Sequence, residues 1–480
     1  MKKSVIKIVC FVLIFILLFG GFHKIFNFKQ GDGIYSLKVF YEQPDNSIDV
    51  MFFGSSHVFE NVNTQTLWEE YGIAAYNLCG SVQPFWNTYY YMKEALKTQQ
   101  PKLMVVDVYG AIQTEDYIDH SRIIKNNFGL KPSTDKLNSV MISSPKEEWP
   151  DYILEYPAYH SRYSEITYSD FLEYCGNKLF ENWKGFGLNT GTTPYTEPDF
   201  YTTESGALTE KCEQYLLEII NLAKKNNIPL LLIKSPYILN KSQQAIYNRV
   251  AEIADENGVP FINFNLLYGE LELDFSTDYA DTSHLNHLGN VKYTRYLANY
   301  LKNNYEIPDR RGDKAYHSYD LMAAYYRQLV YNHELKEIQD IGTYVDKLQN
   351  DDYTVIYSIA GDYKNMGNYD AVRNELSTIG INLDEFDTNA VWVRENSEIV
   401  FSSSSEAAFN WHKDLGEYNR CMVSFSNEAE SGIEVNYNNT IYEVSAGLNI
   451  FVYDNRTESF VEIVSSFFRK NKSNRLVADS

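Results

Sequence analysis

Ile48-Asp49-Val50-Met51-Phe52-Phe53-Gly54-Ser55-Ser56-His57 is an apolar run that ends in a glycine and two serines. A continuous apolar run of this length fits a strand buried on both faces. Gly54 lets the chain turn sharply after it. Ser56 then stands at a strand-to-helix turn, where backbone N–H groups of a following helix point outward. Four more short runs share this character: Ala74–Leu78, Leu103–Val108, Pro229–Lys234 and Pro260–Asn263.

Amphipathic stretches follow these runs, around Thr64–Tyr71, Pro84–Lys97, Leu208–Asn226, Lys241–Asn257 and His287–Asn303. The β-α-β-α rhythm predicts an α/β fold, a parallel sheet with helices on both faces. Ligand sites in such sheets lie beyond the carboxyl ends of the strands. Residues 112–207 break the rhythm. They are aromatic and polar, with Tyr152, Tyr156, Tyr159, Tyr163 and Tyr168 close together. A segment this long carries its own structure or a function; it is read as an insertion after the third strand, helical in part and placed to cap the site.

The second chemical segment is Asp281-Thr282-Ser283-His284-Leu285-Asn286. His284 is a candidate general base toward Ser56, and Asp281 a candidate orienter of its ring. Ser56 follows the first strand and the Asp/His pair follows the fifth, so both fall on one sheet edge. The plainer reading is a serine loop and an aspartate that each cap a helix. His57, beside Ser56, either shapes the pocket or competes as the base. Asp107, at the end of the third strand, is placed to line the pocket. His160 and Arg162 are candidates for holding an anionic or sugar substrate, against a structural role within the insertion.

These residues resemble the SGNH/GDSL hydrolase superfamily, and within it the membrane-anchored bacterial branch of alginate O-acetyltransferase-like and lipoteichoic acid D-alanylation proteins. The resemblance covers roughly residues 46–305. It implies a flavodoxin-like three-layer α/β/α fold with Ser56 as nucleophile and Asp281 and His284 completing a triad. The family's second block places an oxyanion-hole glycine where Asn77-Leu78-Cys79-Gly80 stands, which implies Gly80. The N–H of Ser56 is the other donor. The family's third-block asparagine is missing from Asp107-Val108-Tyr109-Gly110, and Asn77 is the candidate substitute. The resemblance also implies O-acyl chemistry, acetyl above all, on a cell-surface polysaccharide or wall polymer. A multipass membrane O-acyltransferase is the implied partner. The alternative is an inactive scaffold or glycan-binding protein in envelope polymer assembly.

Met1-Lys2-Lys3 precedes a nearly unbroken apolar stretch from Ser4 to Phe22. Its length suits a bilayer span. Leu18-Phe19-Gly20-Gly21-Phe22-His23 offers no small-x-small cleavage pattern. An uncleaved anchor in the lipid bilayer is therefore expected. Lys2, Lys3 and Lys7 favour a cytoplasmic N-terminus and an extracellular catalytic domain, although His23, Lys24 and Lys29 weaken that bias. The net charge of −22 argues against nucleic acid as a partner. Five scattered cysteines give no zinc-site spacing. No motif calls for a cofactor or metal.

The chain has 40 tyrosines, suited either to stacking on sugars or to filling strands and helix faces. Pro308-Asp309-Arg310-Arg311-Gly312-Asp313 reads as a boundary. The expected layout is an anchor over 1–29, the hydrolase-like domain over 30–308, a helical linker over 309–351, with a helix about Tyr319–Leu348, and a β-rich, sandwich-like accessory domain over 352–480. Glycines and asparagines punctuate short alternating strands in that last part. Its stretch Gly447-Leu448-Asn449-Ile450 resembles a domain of interleukin-like secreted proteins.

Overall fold

The computed structural model describes residues 2–476 apart from 29–30, 168–169, 172–183, 366–368, 387, 416–418, 427–430, 439 and 467–474. The chain forms two compact units, Met1–Ala323 and Ala324–Ser480.

The first unit is built on a five-stranded sheet. Its strands are β1 (Val50–Gly54), β2 (Ala75–Cys79), β3 (Leu103–Asp107), β4 (Leu230–Lys234) and β5 (Phe261–Asn263). All neighbours pair in parallel, in the order β2-β1-β3-β4-β5. That is the doubly wound, flavodoxin-like order, with its switch point between β1 and β3. Every residue of β1 to β4 is buried, as continuous apolar runs require of a sheet covered on both faces. The helices of this unit include α1 (Lys2–Phe26), α2 (Ser56–Asn61), α3 (Thr64–Tyr71), α4 (Phe85–Ala95), α5 (His120–Asn127), α6 (Thr134–Ser143), α7 (Trp149–Leu154), α8 (Glu210–Lys225), α9 (Lys241–Glu256) and α10 (His287–Asn304). Their starts obey capping chemistry: Asn63, Asp119, Ser133, Thr209, Asn240 and Asn286 each accept a backbone N–H of the first turn.

α1 is long and apolar enough over Val5–Phe26 to cross a membrane by length and composition. The insertion is helical through α5, α6 and α7, and its return, from 184 to 209, has no regular secondary structure. The break at Pro308–Asp313 is not the edge of this unit. Arg310 makes a two-pronged ion pair with Asp49 at 2.7 and 2.8 Å. Tyr316, Tyr319 and Ala323 then pack on Trp68 and Ala74.

The second unit holds a six-stranded and a four-stranded sheet. Both carry antiparallel pairs and share an apolar core that includes Ile356, Val391, Phe451, Val423 and Val435. The other face of the larger sheet is covered by the helices Ile341–Lys347 and Tyr369–Thr378, which supply Val345, Val372 and Leu376. This is a sandwich with a helical layer added. The helix expected at Tyr319–Leu348 is two helices, His317–Glu337 and Ile341–Lys347, because Asp340 caps a new start. Many tyrosines fill cores: Tyr76, Tyr91, Tyr247, Tyr279, Tyr293 and Tyr357 are fully buried.

Candidate active site

Ser55 and Ser56 follow β1, and the two serines divide the work of the turn. Ser55 is the N-cap of α2, and its Oγ accepts the N–H of His57 at 3.3 Å. Ser56 is the first residue of the helix and is partly exposed. Its N–H has no acceptor within the helix.

The loop before α10 brings the other two groups. Asp281 Oδ1 accepts the N–H groups of Ser283 and His284 at 2.7 and 3.0 Å. This Asx turn folds the loop so that the carboxylate meets the His284 ring, with Nδ1 2.9 Å from Oδ2. Nε2 of the same ring lies 2.8 Å from Ser56 Oγ. Nδ1–H donating to Asp281 leaves Nε2 as the acceptor of the serine hydroxyl. Burial alone would raise the Asp281 carboxyl. The hydrogen bonds from His284 and Ser283 outweigh it and hold the group below the usual carboxylate range. Asn61, at the end of α2, ties the neighbourhood together. Its Oδ1 accepts Leu285 N–H at 2.9 Å and its Nδ2 donates to Pro236 O at 3.1 Å.

Glu60 is a group the sequence reading missed. One turn along α2 from Ser56, its Oε1 lies 3.9 Å from His284 Nε2, and its Oε2 accepts Asn189 Nδ2 at 2.8 Å. Burial raises its pKa, against the opposing pull of His284 and Asn189. The signal available in the sequence was its i+4 spacing from Ser56 on a helix.

A second missed feature lies beneath the triad. Lys234, at the end of β4, is fully buried and donates to both oxygens of Asp107 at 3.1 Å and to His57 Nδ1 at 3.2 Å. An ammonium group has only donors, so His57 must carry its proton on Nε2. Burial, then the Lys234 charge, holds the His57 pKa well below its ordinary value. His57 is thus a neutral wall of the site, stacked on Tyr109 at 4.3 Å and 5.6 Å from the His284 ring. It is not placed as the base.

Asp107 does not line the pocket. Besides Lys234 it accepts the N–H groups of Tyr109 and Ser235 at 2.9 and 2.7 Å, and it is shut off from solvent. The Asn77 amide is also committed, donating to Val58 O and Val62 O at 3.0 and 2.8 Å, so it is no oxyanion donor here. Gly80 N–H extends the sheet ladder to Gly54 O at 3.2 Å. A side chain on Gly80 would meet Asn126 Oδ1, which closes over it together with Gln83. Val82, two residues on, is held at φ 43°, a strained value for a β-branched residue. Of the expected donors, Ser56 N–H is the one without an acceptor among the described residues.

Arg162 lies away from the triad. It donates to Phe26 O at 2.9 Å, to Asn27 O and to Asp170, and so clasps the end of α1. The side chain of His160 lies outside the described residues, as does Cys175. Cys10, Cys79, Cys212 and Cys421 are free thiols.

No family model and no curated protein matches the sequence. Among solved structures, the chain is similar to one assigned as an acylhydrolase from Bacteroides fragilis. That match has 12% identity, a TM-score of 0.29, and covers 58% of this chain and 99% of the other. It is also similar to a GDSL-like lipase from Bacteroides thetaiotaomicron, with 12% identity, a TM-score of 0.27, and 53% and 87% coverage.

Proposed function

We propose that this chain is a membrane-anchored serine esterase or O-acyltransferase of the SGNH/GDSL kind. The reading is carried by one observation: His284 bridges Ser56 and Asp281 with hydrogen bonds at both ring nitrogens. That is the nucleophile–base–orienter relation of acyl transfer.

In this reading Ser56 Oγ attacks the carbonyl carbon of an ester while His284 Nε2 takes its proton. Electrons move onto the carbonyl oxygen, which the Ser56 N–H stabilises. The tetrahedral intermediate collapses, the C–O bond to the leaving alcohol breaks, and His284 returns the proton to that alcohol. The acyl-serine is then attacked by water, giving an acid, or by a sugar hydroxyl, giving a new ester. His284 removes the attacking proton and hands it to Ser56 as the enzyme is regenerated. Asp281 keeps Nδ1 protonated and steadies the imidazolium.

α1 as an uncleaved span, with the catalytic unit outside the cell, supports a cell-surface polysaccharide as acceptor or substrate and a membrane O-acyltransferase as supplier of acyl groups. Acetyl is the acyl group of choice on the resemblance alone. The test is release of p-nitrophenol from its acetate ester by the full chain. Ser56→Ala should lower turnover by at least about a thousandfold. Equal turnover in the two proteins removes Ser56 from its role. Acetyl release from, and transfer to, defined glycans then separates esterase from transferase.

A second reading has an observation of its own. Gly80 N–H and the Asn77 amide are spent on the protein, which favours a scaffold or glycan-binding role without turnover. Glycan binding that survives Ser56→Ala, with no ester cleavage in the wild type, is its signature.

A further inference from the structure

Glu60 places a carboxylate beside the triad, and its two oxygens have different tasks. Oε2 accepts Asn189 Nδ2 at 2.8 Å. The Asn189 amide is fixed in turn, since its Oδ1 accepts Gly191 N–H at 3.1 Å. Its backbone O accepts His287 N–H at 2.8 Å, and Gly187 N–H donates to Phe59 O at 2.8 Å. The return of the insertion is thereby laced to α2 on one side and to the start of α10 on the other, which holds Glu60 in place. Oε1 accepts no hydrogen bond from the described residues. It stands 3.9 Å from His284 Nε2, on a side chain that is 19% exposed.

The same ring nitrogen is 2.8 Å from Ser56 Oγ. In the proposed reaction it hands its proton to the oxygen of the leaving alcohol, and later takes one from the attacking hydroxyl. That oxygen must therefore come within hydrogen-bond reach of Nε2, in the neighbourhood of Glu60 Oε1. An ionised carboxylate is a strong acceptor there, because charge-assisted hydrogen bonds outweigh neutral ones. The donor it suits is neutral. An imidazolium would form at His284 in the proposed reaction, and a cation seated on Glu60 would oppose it across a few ångströms.

We infer that Glu60 is a specificity residue: its Oε1 accepts a hydrogen bond from a hydroxyl on the carbon next to the ester oxygen. The alcohol side of the substrate is then a vicinal diol, as in a sugar or another polyol. The inference rests on the Ser56–His284–Asp281 reading and narrows it from esters in general to esters of polyols. Asn189 is a positioning residue in this scheme, acting through Glu60.

The test compares ethylene glycol monoacetate with propyl acetate, in which a methyl group replaces the hydroxyl, and with acetylcholine, in which a cation does. Acid release by the full chain is followed at mildly alkaline pH, and each rate is divided by that of hydroxide on the same ester. The wild type should prefer the glycol ester to the propyl ester by at least about tenfold in kcat/KM. Glu60→Leu should bring that ratio near one. Each ratio is taken within one protein, so partial unfolding lowers both rates and leaves it unmoved. Asn189→Ala frees the carboxylate and should lower the ratio severalfold, and it carries the test if Glu60→Leu does not fold. A ratio near one in the wild type, or one that survives these substitutions, overturns the inference. So does a preference for acetylcholine over both neutral esters that Glu60→Leu abolishes, which would make the partner a cation. Ser56→Ala separates the two levels. Turnover that depends on Ser56 but shows no preference sinks the hydroxyl contact alone, while turnover indifferent to Ser56→Ala sinks the triad and the contact with it.

Discussion

Lys234 Nζ lies 3.1 Å from each carboxylate oxygen of Asp107, and neither side chain reaches solvent. Asp107 also holds the N–H groups of Tyr109 and Ser235, so one carboxylate anchors the loops after β3 and β4. Those loops carry Tyr109 and Tyr237 against His57, the residue after Ser56. The pair therefore acts on the site through packing, from below.

Lys234→Met should leave a buried charge without its partner and cost about 3–5 kcal/mol. Adding Asp107→Asn should recover part of that loss, since no bare charge remains. Thermal unfolding of the full chain, single against double variant, reads the difference. A double variant no more stable than Lys234→Met would deny that the unpaired carboxylate is the cause.

Gly54 sits at φ 145°, and a Cβ there would come 3.1 Å from Asp107 Cβ and from Val58 Cγ2. Gly54→Ala must move β3 or α2, and α2 carries Ser56. A displacement of the order of 1 Å costs roughly a hundredfold in turnover. The expected result is a loss of kcat/KM for a soluble ester well beyond any loss of folded protein. A folded variant with wild-type kcat/KM would show that the turn tolerates a side chain.

Much of this was legible in the sequence, for identifiable reasons. Apolar runs bounded by helical stretches mark a parallel sheet, and strands β1 to β5 fall within one or two residues of the runs that announce them. Ser56 and Asp281/His284 stood out because each segment follows a strand, which places them on one edge. The Lys234–Asp107 pair was hidden by the convention that charges at strand ends face water. Its trace was opposite charges at the carboxyl ends of adjacent strands, since Asp107 pairs with Ile233, the neighbour of Lys234. Asn77 and Gly80 were read by position along the chain, and position says nothing of which hydrogen bonds are already made. Arg162 was read as a substrate group because the docking of α1 on the insertion is a long-range contact with no local signature.

Glu60 places a carboxylate 3.9 Å from His284 Nε2, where an imidazolium would form in the proposed reaction. Burial raises the Glu60 carboxyl above its ordinary value, so it takes up a proton early as pH falls and its charge beside the ring is lost. Glu60→Gln removes that titration and should therefore change the acid limb of the pH–kcat/KM profile. Asp281 stays ionised through mild acid, its carboxyl being held low, and its contribution fades only as pH falls through that lowered value. An unmoved acid limb in Glu60→Gln would place Glu60 outside the electrostatics of the base.

Lys184 gives the fold a pH dependence of unusual sign. Its ammonium is 1% exposed as a residue and is held by Gln43 Oε1 at 2.7 Å, Ser318 Oγ at 2.8 Å and the Tyr319 ring at 4.0 Å. None of these is a carboxylate, and burial lowers its pKa from 10.5 to about 7. Between those values the unfolded chain holds a proton that the folded chain lacks. Stability must then rise with pH across this window, and the penalty is complete below about 7. Lys184→Met removes the titrating group while keeping most of the stem that packs on Tyr319. The stability of the wild type relative to Lys184→Met should therefore increase from about pH 7 to about pH 9, by at most about 1.4 kcal/mol per pH unit. Taking the difference between the two proteins cancels Lys211, which burial lowers to about 8 in both. Unfolding temperatures of the two full chains, measured in parallel at each pH, give the slope. A flat difference would mean that Lys184 keeps its proton in the folded state.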